Sequence, residues 1–167
     1  MIVSEQTQKA VTELISQCFK ENRWADRAVS VLGVNFACNK TSELLHHHVA
    51  HLYPAISDNL GHECLERYNI SIVYGATPEG AENYNSVKEI IDGFRDRAID
   101  FQSMLIAASK IAFAQDDIHV FVDIGNILKN FNVVIEQLIL LSDKINAYDN
   151  DIMAFDHDID GFWILGE

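Results

Sequence analysis

The chain has 167 residues, of which 49% are hydrophobic and 10% aromatic; this excludes an intrinsically disordered chain and indicates one domain with a real core. A formal net charge of −13 argues against a duplex nucleic-acid partner, because binding to phosphates is driven by Lys and Arg. Interrupted apolar runs predict neither a signal peptide nor a membrane span, and three widely spaced cysteines without a CxxC pair predict reduced thiols in a cytoplasmic protein.

Four long segments with helical periodicity follow one another along the chain and predict an all-α protein. In chain order they run from about Ser4 to Phe36, from Thr41 or Ser42 to between Asn69 and Tyr74, from Ser86 to residues 116–117, and from there to about Tyr148. Helices of this length predict a four-helix bundle over residues 1–148. Residues 149–167 are predicted to form an acidic and aromatic C-terminal tail that packs on the bundle, because its apolar clusters are unfavourable in water.

The connection between the second and third helices decides the topology. If helix two ends at Tyr74, the remaining linker of about 11 residues reaches at most roughly 40 Å, which favours a simple up-down bundle. If helix two ends near Asn69, the linker reaches more than about 50 Å and permits a crossover along the bundle. β-Branched residues at positions 70, 72 and 73 are weak helix formers, and the sequence leaves both alternatives open.

Side chains that bind metals are concentrated in the second predicted helix, which holds five of the seven histidines. Asp58, His62 and Glu66 follow one another at intervals of four residues, so a helix places them on one face. Imidazole and carboxylate together are a ligand mixture that binds iron, zinc or manganese. The sequence therefore predicts that His62 and Glu66 bind a divalent transition metal, with His47, His51 or Asp58 nearby.

Several short pieces of sequence occur in the order of a known family's segments. Val34-Asn35-Phe36 is followed by Leu45-His46-His47 at the next helix start, by the acids Asp58 and Glu66, and by the loop Gly75-Ala-Thr-Pro-Glu-Gly80. This order resembles the miniferritins, the ferritin-like proteins that protect DNA during starvation. The pieces span about a third of the chain.

The resemblance implies a ferritin-like bundle with a long middle crossover, an iron site near a subunit interface and a hollow homo-oligomeric shell. It also implies a ferroxidase-like activity, in which bound iron reacts with dioxygen or peroxide. By position, His46 or His47 would match the family's ligand at the helix start, Asp58 or His62 its first acid, and His62 or Glu66 its second.

Two departures from the family pattern shape the expectations. Val34 and Ala37 stand where the family has metal-binding histidines in the first helix, and the chain lacks the basic N-terminal arm with which the family binds DNA. A site without ligands from helix one is incomplete within one subunit, because redox metals usually need at least three protein ligands. We therefore expect a homo-oligomer, a dimer or larger, that supplies the remaining ligands.

Glu-x-x-His pairs are the other ferritin-type pattern in the chain. Glu43-x-x-His46 and Asp116-x-x-His119 have this spacing, and each lies at a predicted helix start. An up-down bundle would bring the two pairs together at one end, whereas a crossover would place them at opposite ends.

The tail carries a sequence that matches a calcium loop. Asp156, Asp158 and Asp160 alternate before Gly161, and Glu167 stands at the twelfth place. The apolar run at residues 162–165 instead favours a strip that docks on the bundle. We rank Ca²⁺ binding at the three aspartates second, after docking of the apolar strip.

The leading hypothesis is a cytoplasmic, ferritin-like protein that binds iron or another divalent metal, for iron storage, iron oxidation or protection against oxidative stress. The alternative is a metal-free helical bundle that acts as a protein-interaction module, in which the histidines have no chemical role. Neither a nucleic acid nor a membrane is expected as a partner.

Overall fold

A computed structural model describes residues 2–149 and 151–163, and these residues form helices and loops with no β-strand among them. The all-α class predicted from the periodicity is confirmed. The α-helices are α1 (Glu5–Val34), α2 (Asn39–Leu45), α3 (Leu52–Cys64), α4 (Val87–Ala114), α5 (Ile118–Ala147) and α6 (Ile152–Asp158). A π-helical turn (His46–Ala50) joins α2 to α3, and 3-10 turns follow α3 (Glu66–Tyr68) and α6 (Ile159–Gly161).

Two serines cap helices at the positions where the sequence predicts those helices to begin. Ser4 accepts a hydrogen bond from the Thr7 amide at the start of α1, and Ser86 accepts one from the Glu89 amide at the start of α4. Each bond satisfies one of the amides that a helix leaves free in its first turn. These caps explain why the starts of both helices are readable from the sequence.

Helix two begins earlier than predicted, and it is interrupted partway along. α2 begins at Asn39, before the predicted start at Thr41 or Ser42, and its N-cap residue, Cys38, makes no capping hydrogen bond with its side chain. The break in the helix is the π-helical turn, and Pro54 lies in the first turn of α3 rather than in a helix interior. Proline is tolerated at that position because first-turn amides have no partner within the helix.

The connection between α3 and α4 follows the crossover alternative. Asn69 ends the turn after α3 in the left-handed conformation, with φ of 62°. The chain then runs along α1: the Gly75 amide donates to Ser16, and the Arg27 side chain donates to the carbonyl of Glu82. Because the crossover returns the chain along α1, α3 and α4 run in the same direction.

The core lies where α1, α3, α4 and α5 pack together. Three rings from α3, α4 and α5 meet there, with centroid distances of 5.4, 6.0 and 5.3 Å among Tyr53, Phe101 and Phe131. One ion pair crosses from α1 to α4, with Oε2 of the buried Glu21 2.7 Å from Nε of the partly exposed Arg97. The middle of the molecule is thus filled with aromatic rings and a matched charge pair.

α5 is the most apolar of the long helices, and by length and composition alone it would be able to cross a membrane. Core helices of water-soluble proteins have the same property. Here α5 contributes buried side chains such as Phe131 and Leu138 to the shared core. A single helix of this kind is consistent with a soluble protein.

Candidate metal-binding face

One exposed stripe of side chains follows the outer face of helix two, from the π-helical turn to the 3-10 turn. All its members are exposed, and we call them the histidine stripe: His47, His51, Ala55, Asp58, His62 and Glu66. The stripe contains all five residues predicted as metal ligands. They lie on one face because they recur every three or four residues along a helix.

The π-helical turn gathers histidines at the upper end of the stripe. The His51 amide donates to the carbonyl of His46 at 3.1 Å, a bond that reaches back five residues instead of four. The His46 ring lies 4.2 Å from the His51 ring and 5.7 Å from the His47 ring, and the His47 and His51 rings are 5.8 Å apart. Three imidazoles therefore lie side by side at this turn.

A carboxylate from α1 lies beside this group. Asp26 Oδ1 is 3.7 Å from His46 Nδ1, beyond a normal hydrogen bond. That oxygen is buried and has no hydrogen-bond partner among the described residues. A buried, unpaired carboxylate oxygen is costly, so Asp26 provides an unused acceptor next to three imidazoles.

The lower end of the stripe carries a His–Glu pair. His62 Nδ1 lies 4.0 Å from Glu66 Oε2, and the two side chains are 65% and 54% exposed. Asp58 is exposed one turn earlier on the same face. The pair presents one nitrogen and one oxygen ligand to the outside of the molecule.

The two ends of the stripe do not meet within one chain. His51 and His62 are eleven residues apart, which corresponds to about 16 Å along a helix. His47 and His51 therefore do not join His62 and Glu66 around a single ion in one copy. Within residues 2–149 and 151–163, no group of three or more His, Cys, Asp or Glu side chains is arranged to hold a metal ion.

The two Glu-x-x-His-type pairs lie at opposite ends of the molecule, as the crossover alternative requires. His46 lies beside Asp26 in the second half of α1. At the other end, Asp117 accepts hydrogen bonds from Ser4, and the neighbouring His119 ring packs edge-on against Tyr68 with centroids 5.0 Å apart. A site shared by both pairs within one chain is therefore ruled out.

The three aspartates of the calcium-like pattern contact different parts of the chain. Asp156 accepts from Thr41, Asp158 accepts from the Tyr148 hydroxyl, and Asp160 pairs with Lys40. Each carboxylate is directed to its own partner and not toward a common point. Glu167, the twelfth residue of the pattern, lies outside the described residues.

Part of the predicted apolar strip packs on the rest of the molecule. The Phe162 ring lies 5.5 Å from Phe155 and 6.2 Å from Tyr148, and Trp163 is 9% exposed with its ring 5.8 Å from His48. The other two residues of the strip, 164 and 165, lie outside the described residues. The described part of the tail thus contacts the element that carries the histidines.

Sequence reasoning missed two contributors to this region, Asp26 and Asp156. Both reach helix two from other elements, and neither has a spacing pattern that links it to the histidines. Their contacts arise from the pairing of helices distant in sequence, which no local periodicity reports. The only available signal is an acid on a helix that packs against helix two, and many structural acids share it.

The three cysteines are unpaired and buried. Burial raises the pKa of the Cys64 thiol to about 12, with Asp123 and Glu63 adding to the effect. Burial likewise raises the pKa of Cys38 to about 11. These thiols stay protonated at neutral pH, so they are poor nucleophiles and poor metal ligands.

No protein-family model matches the sequence, and no curated protein sequence matches it. Membership of a family is therefore not shown by these comparisons. The physical features on which a function can be argued are the histidine stripe, the π-helical turn beside Asp26 and the crossover topology.

Proposed function

We propose that the protein is a ferritin-like, four-helix-bundle protein that binds a divalent transition metal, iron foremost, between two copies of the chain. The observation that carries the proposal is the exposed pair His62 and Glu66, with Nδ1 and Oε2 4.0 Å apart. Two ligands are fewer than a transition-metal site needs. A second copy is the source of the others.

The spacing of the histidine stripe supports such a pairing. Its six members are separated by four, four, three, four and four residues, so the stripe has the same spacing in both directions. A two-fold axis places the same surface of both copies face to face. For two antiparallel helices centred between residues 56 and 57, His47 faces Glu66 of the second copy and His51 faces its His62.

One register therefore assembles two equivalent sites. Each would combine His47 and His51 of one copy with His62 and Glu66 of the other. Three nitrogens and one oxygen suit iron, zinc or manganese. Ala55 near the centre of the stripe is small, which favours close approach of the two helices.

The first two imidazoles of such a site already lie together at the π-helical turn. Asp26, with its unpaired buried oxygen, lies next to His46 and would orient that ring for its neighbours. Bound iron would supply electron transfer to dioxygen or peroxide, as in iron storage or protection against oxidative stress. The residues of this chain would bind the ion and hold their rings in place.

The fold-level resemblance adds support. A long crossover over residues 69–86 and parallel α3 and α4 are what a ferritin-like bundle requires. The unpaired buried thiols fit a reducing, cytoplasmic location. Val34 is 82% exposed where the family has a helix-one histidine, so the proposed ligands come from helix two alone.

The direct test is metal binding by protein purified without a His tag. His62→Ala with Glu66→Ala should abolish high-affinity uptake of Co²⁺ or Fe²⁺ while the helical circular dichroism stays unchanged. Asp96→Ala with Asp100→Ala is the matched control, because it removes two exposed acids at the same four-residue spacing on α4. Unchanged metal stoichiometry in the His62/Glu66 variant would contradict the proposal.

The assembly is tested separately by light scattering at micromolar concentration. The proposal requires at least a dimer, because the site is incomplete in one copy. Replacing Ala55 with Arg should disrupt the pair and weaken Co²⁺ binding together, since it introduces bulk and charge at the centre of the stripe. A strictly monomeric wild-type protein that still binds Co²⁺ tightly would refute the two-copy site.

A metal-free protein-interaction module is the second candidate. An exposed apolar cluster at the turn between α4 and α5 favours it: Phe113 is 60% exposed and its ring lies 5.3 Å from that of Phe121. Exposed aromatic side chains of this kind are typical of protein contacts. Wild-type protein that takes up neither Co²⁺ nor Fe²⁺ would favour this function over metal binding.

A further inference from the structure

The short helix α2 receives its N-terminal cap from the other end of the chain. Its N-cap residue is Cys38, whose side chain makes no capping hydrogen bond and donates instead to the carbonyl of Phe36. Asp156 Oδ1 accepts from the Thr41 amide at 2.8 Å and from the Thr41 hydroxyl at 2.8 Å, and both residues are buried. Thr41 is the third residue of α2, where an N-cap side chain normally binds the amide. Asp156 thus caps the N-terminus of α2 in place of the N-cap residue.

Two further contacts attach the same C-terminal segment to helix two. Lys40 Nζ lies 3.0 Å from Asp160 Oδ2 and donates to the carbonyl of His157 at 3.2 Å. Beyond the cap, Trp163 lies against His48 inside the π-helical turn, with ring centroids 5.8 Å apart. The segment 151–163 therefore holds helix two at its start and again at the turn that carries the histidines.

The π-helical turn depends on these contacts because the helical segment that leads into it is unstable on its own. α2 has only seven residues, and a helix of that length does not persist in water without tertiary contacts. The π-helical turn that follows is a rare conformation, found mostly as a single turn inserted into an α-helix. The positions of the His46, His47 and His51 rings therefore depend on the tertiary contacts that stabilise α2.

We propose that residues 151–163 act as a strap whose docking on α2 sets the geometry of the histidine turn, so that strap docking and metal binding at the histidine stripe are coupled. The metal half of this coupling rests on the proposed function, whereas the positioning half does not. Coupling between two binding events is reciprocal. A loosened strap weakens metal binding, and bound metal tightens the strap.

The positioning half is tested by amide hydrogen exchange of the metal-free, full-length protein. Asp156→Ala should speed exchange over residues 41–51 by about ten-fold, as expected when a charged, buried cap is lost, while α4 and α5 keep their protection. Asp156→Asn, which retains an acceptor oxygen, should restore much of the protection. Asp158→Ala is the matched control, because its carboxylate is half exposed and contacts Tyr148 instead.

Thr41→Val is the second variant, in case Asp156→Ala does not fold. It removes the hydroxyl donor and keeps the backbone bond to Asp156, so exchange at residues 41–51 should rise less than in Asp156→Ala. If amide exchange at residues 41–51 is unchanged in both variants, the proposal that residues 151–163 position the turn is wrong.

The metal half is tested by Co²⁺ titration of wild type, Asp156→Ala and Asp158→Ala. Only Asp156→Ala should lose affinity, by several-fold, and Co²⁺ should slow exchange over residues 152–163 in the wild type. Equal Co²⁺ affinities with no protection of that segment would overturn the coupling. A wild type that binds no Co²⁺ would overturn the proposed function and the coupling with it, while the exchange data would still decide whether the strap positions the turn.

Discussion

The side-chain amide of Asn22 on α1 donates to the carbonyl oxygen of Ala50 at 2.9 Å. That carbonyl lies four residues before Pro54, whose ring nitrogen has no hydrogen to donate. Asn22 therefore satisfies the one backbone acceptor that the proline leaves without a helical partner. The interruption of helix two is thus stabilised by a side chain from a different helix, α1, which binds the last residue of the histidine turn.

The first prediction concerns this bond. Asn22→Leu should reduce the free energy of unfolding by about 1–3 kcal/mol, because it leaves a part-buried carbonyl unsatisfied. Pro54→Ala supplies a backbone amide and should make the Asn22→Leu change less costly. Urea unfolding of both single variants and the double variant measures this; strictly additive effects would show that the two residues do not share the carbonyl.

The second prediction concerns pH and the start of α1. Burial alone would raise the pKa of Asp117, but hydrogen bonds from Thr7 and Ser4 outweigh it and lower the pKa below the usual value. A depressed folded pKa contributes stability above the unfolded pKa, and that stability is lost as the pH falls through the folded value.

Asp117→Asn should therefore lower the melting temperature at pH 7, by an amount equivalent to about 1–2 kcal/mol, and the gap from wild type should close as the pH falls below the ordinary Asp range. Asp116→Asn is the control, because Asp116 is exposed and its φ of 61° is a conformation that Asn tolerates. A gap that is the same at pH 7 and pH 3 would contradict the assignment.

The third prediction concerns the ion pair between α1 and α4. Glu21 is 5% exposed, and Arg97 both pairs with it and lies over the Trp24 ring at 4.9 Å. Arg97→Met should cost about 1–3 kcal/mol, because the buried Glu21 carboxylate loses its positively charged partner and keeps the hydrogen bond from Gln17. Adding Glu21→Met should recover most of the loss, and denaturant unfolding of the three variants measures it. A double variant no more stable than Arg97→Met would show that the cost comes from packing and not from charge.

The fourth prediction concerns the C-terminal tail. Deleting residues 155–167 removes Asp156, Phe162 and Trp163 and should lower the melting temperature, because the cap of α2 and the aromatic contacts are lost. Thermal unfolding and light scattering check stability and mass together. If Ca²⁺ raises the melting temperature of the full-length protein and not of the truncated form, the calcium pattern at Asp156, Asp158 and Asp160 is a real site.

Much of the helical framework is readable from local chemistry. Ser4 and Ser86 are visible as caps, and the start of α5 at Ile118 follows the predicted pair of acids. The start of α2 is not readable, because its cap comes from Asp156, more than a hundred residues away. The π-helical turn is equally hidden, because no local pattern predicts that the His51 amide binds the carbonyl of His46 rather than that of His47.

The candidate site was likewise predictable only in part from the sequence. Periodicity places His47, His51, Asp58, His62 and Glu66 on one face, and all five are exposed there. The same helical geometry separates His51 from His62 by about 16 Å, so the two ends of the stripe do not share one ion within one copy. If these residues bind one metal ion together, some of them must come from a second copy of the chain. The sequence of one chain does not predict how two copies pair.

The crossover along α1 divides the helices into two pairs that can be separated experimentally. Before it lies one antiparallel pair, α1 with helix two, and after it another, α4 with α5. The segment between them, residues 69–86, has no helix or strand of its own among its described residues. Chain cleavage near Gly75 to Gly80 would leave two hairpins, each with an apolar face shaped to the other. Such fragments, expressed separately, would be expected to reassociate, with the histidine stripe carried wholly by the first half and the strap by the second.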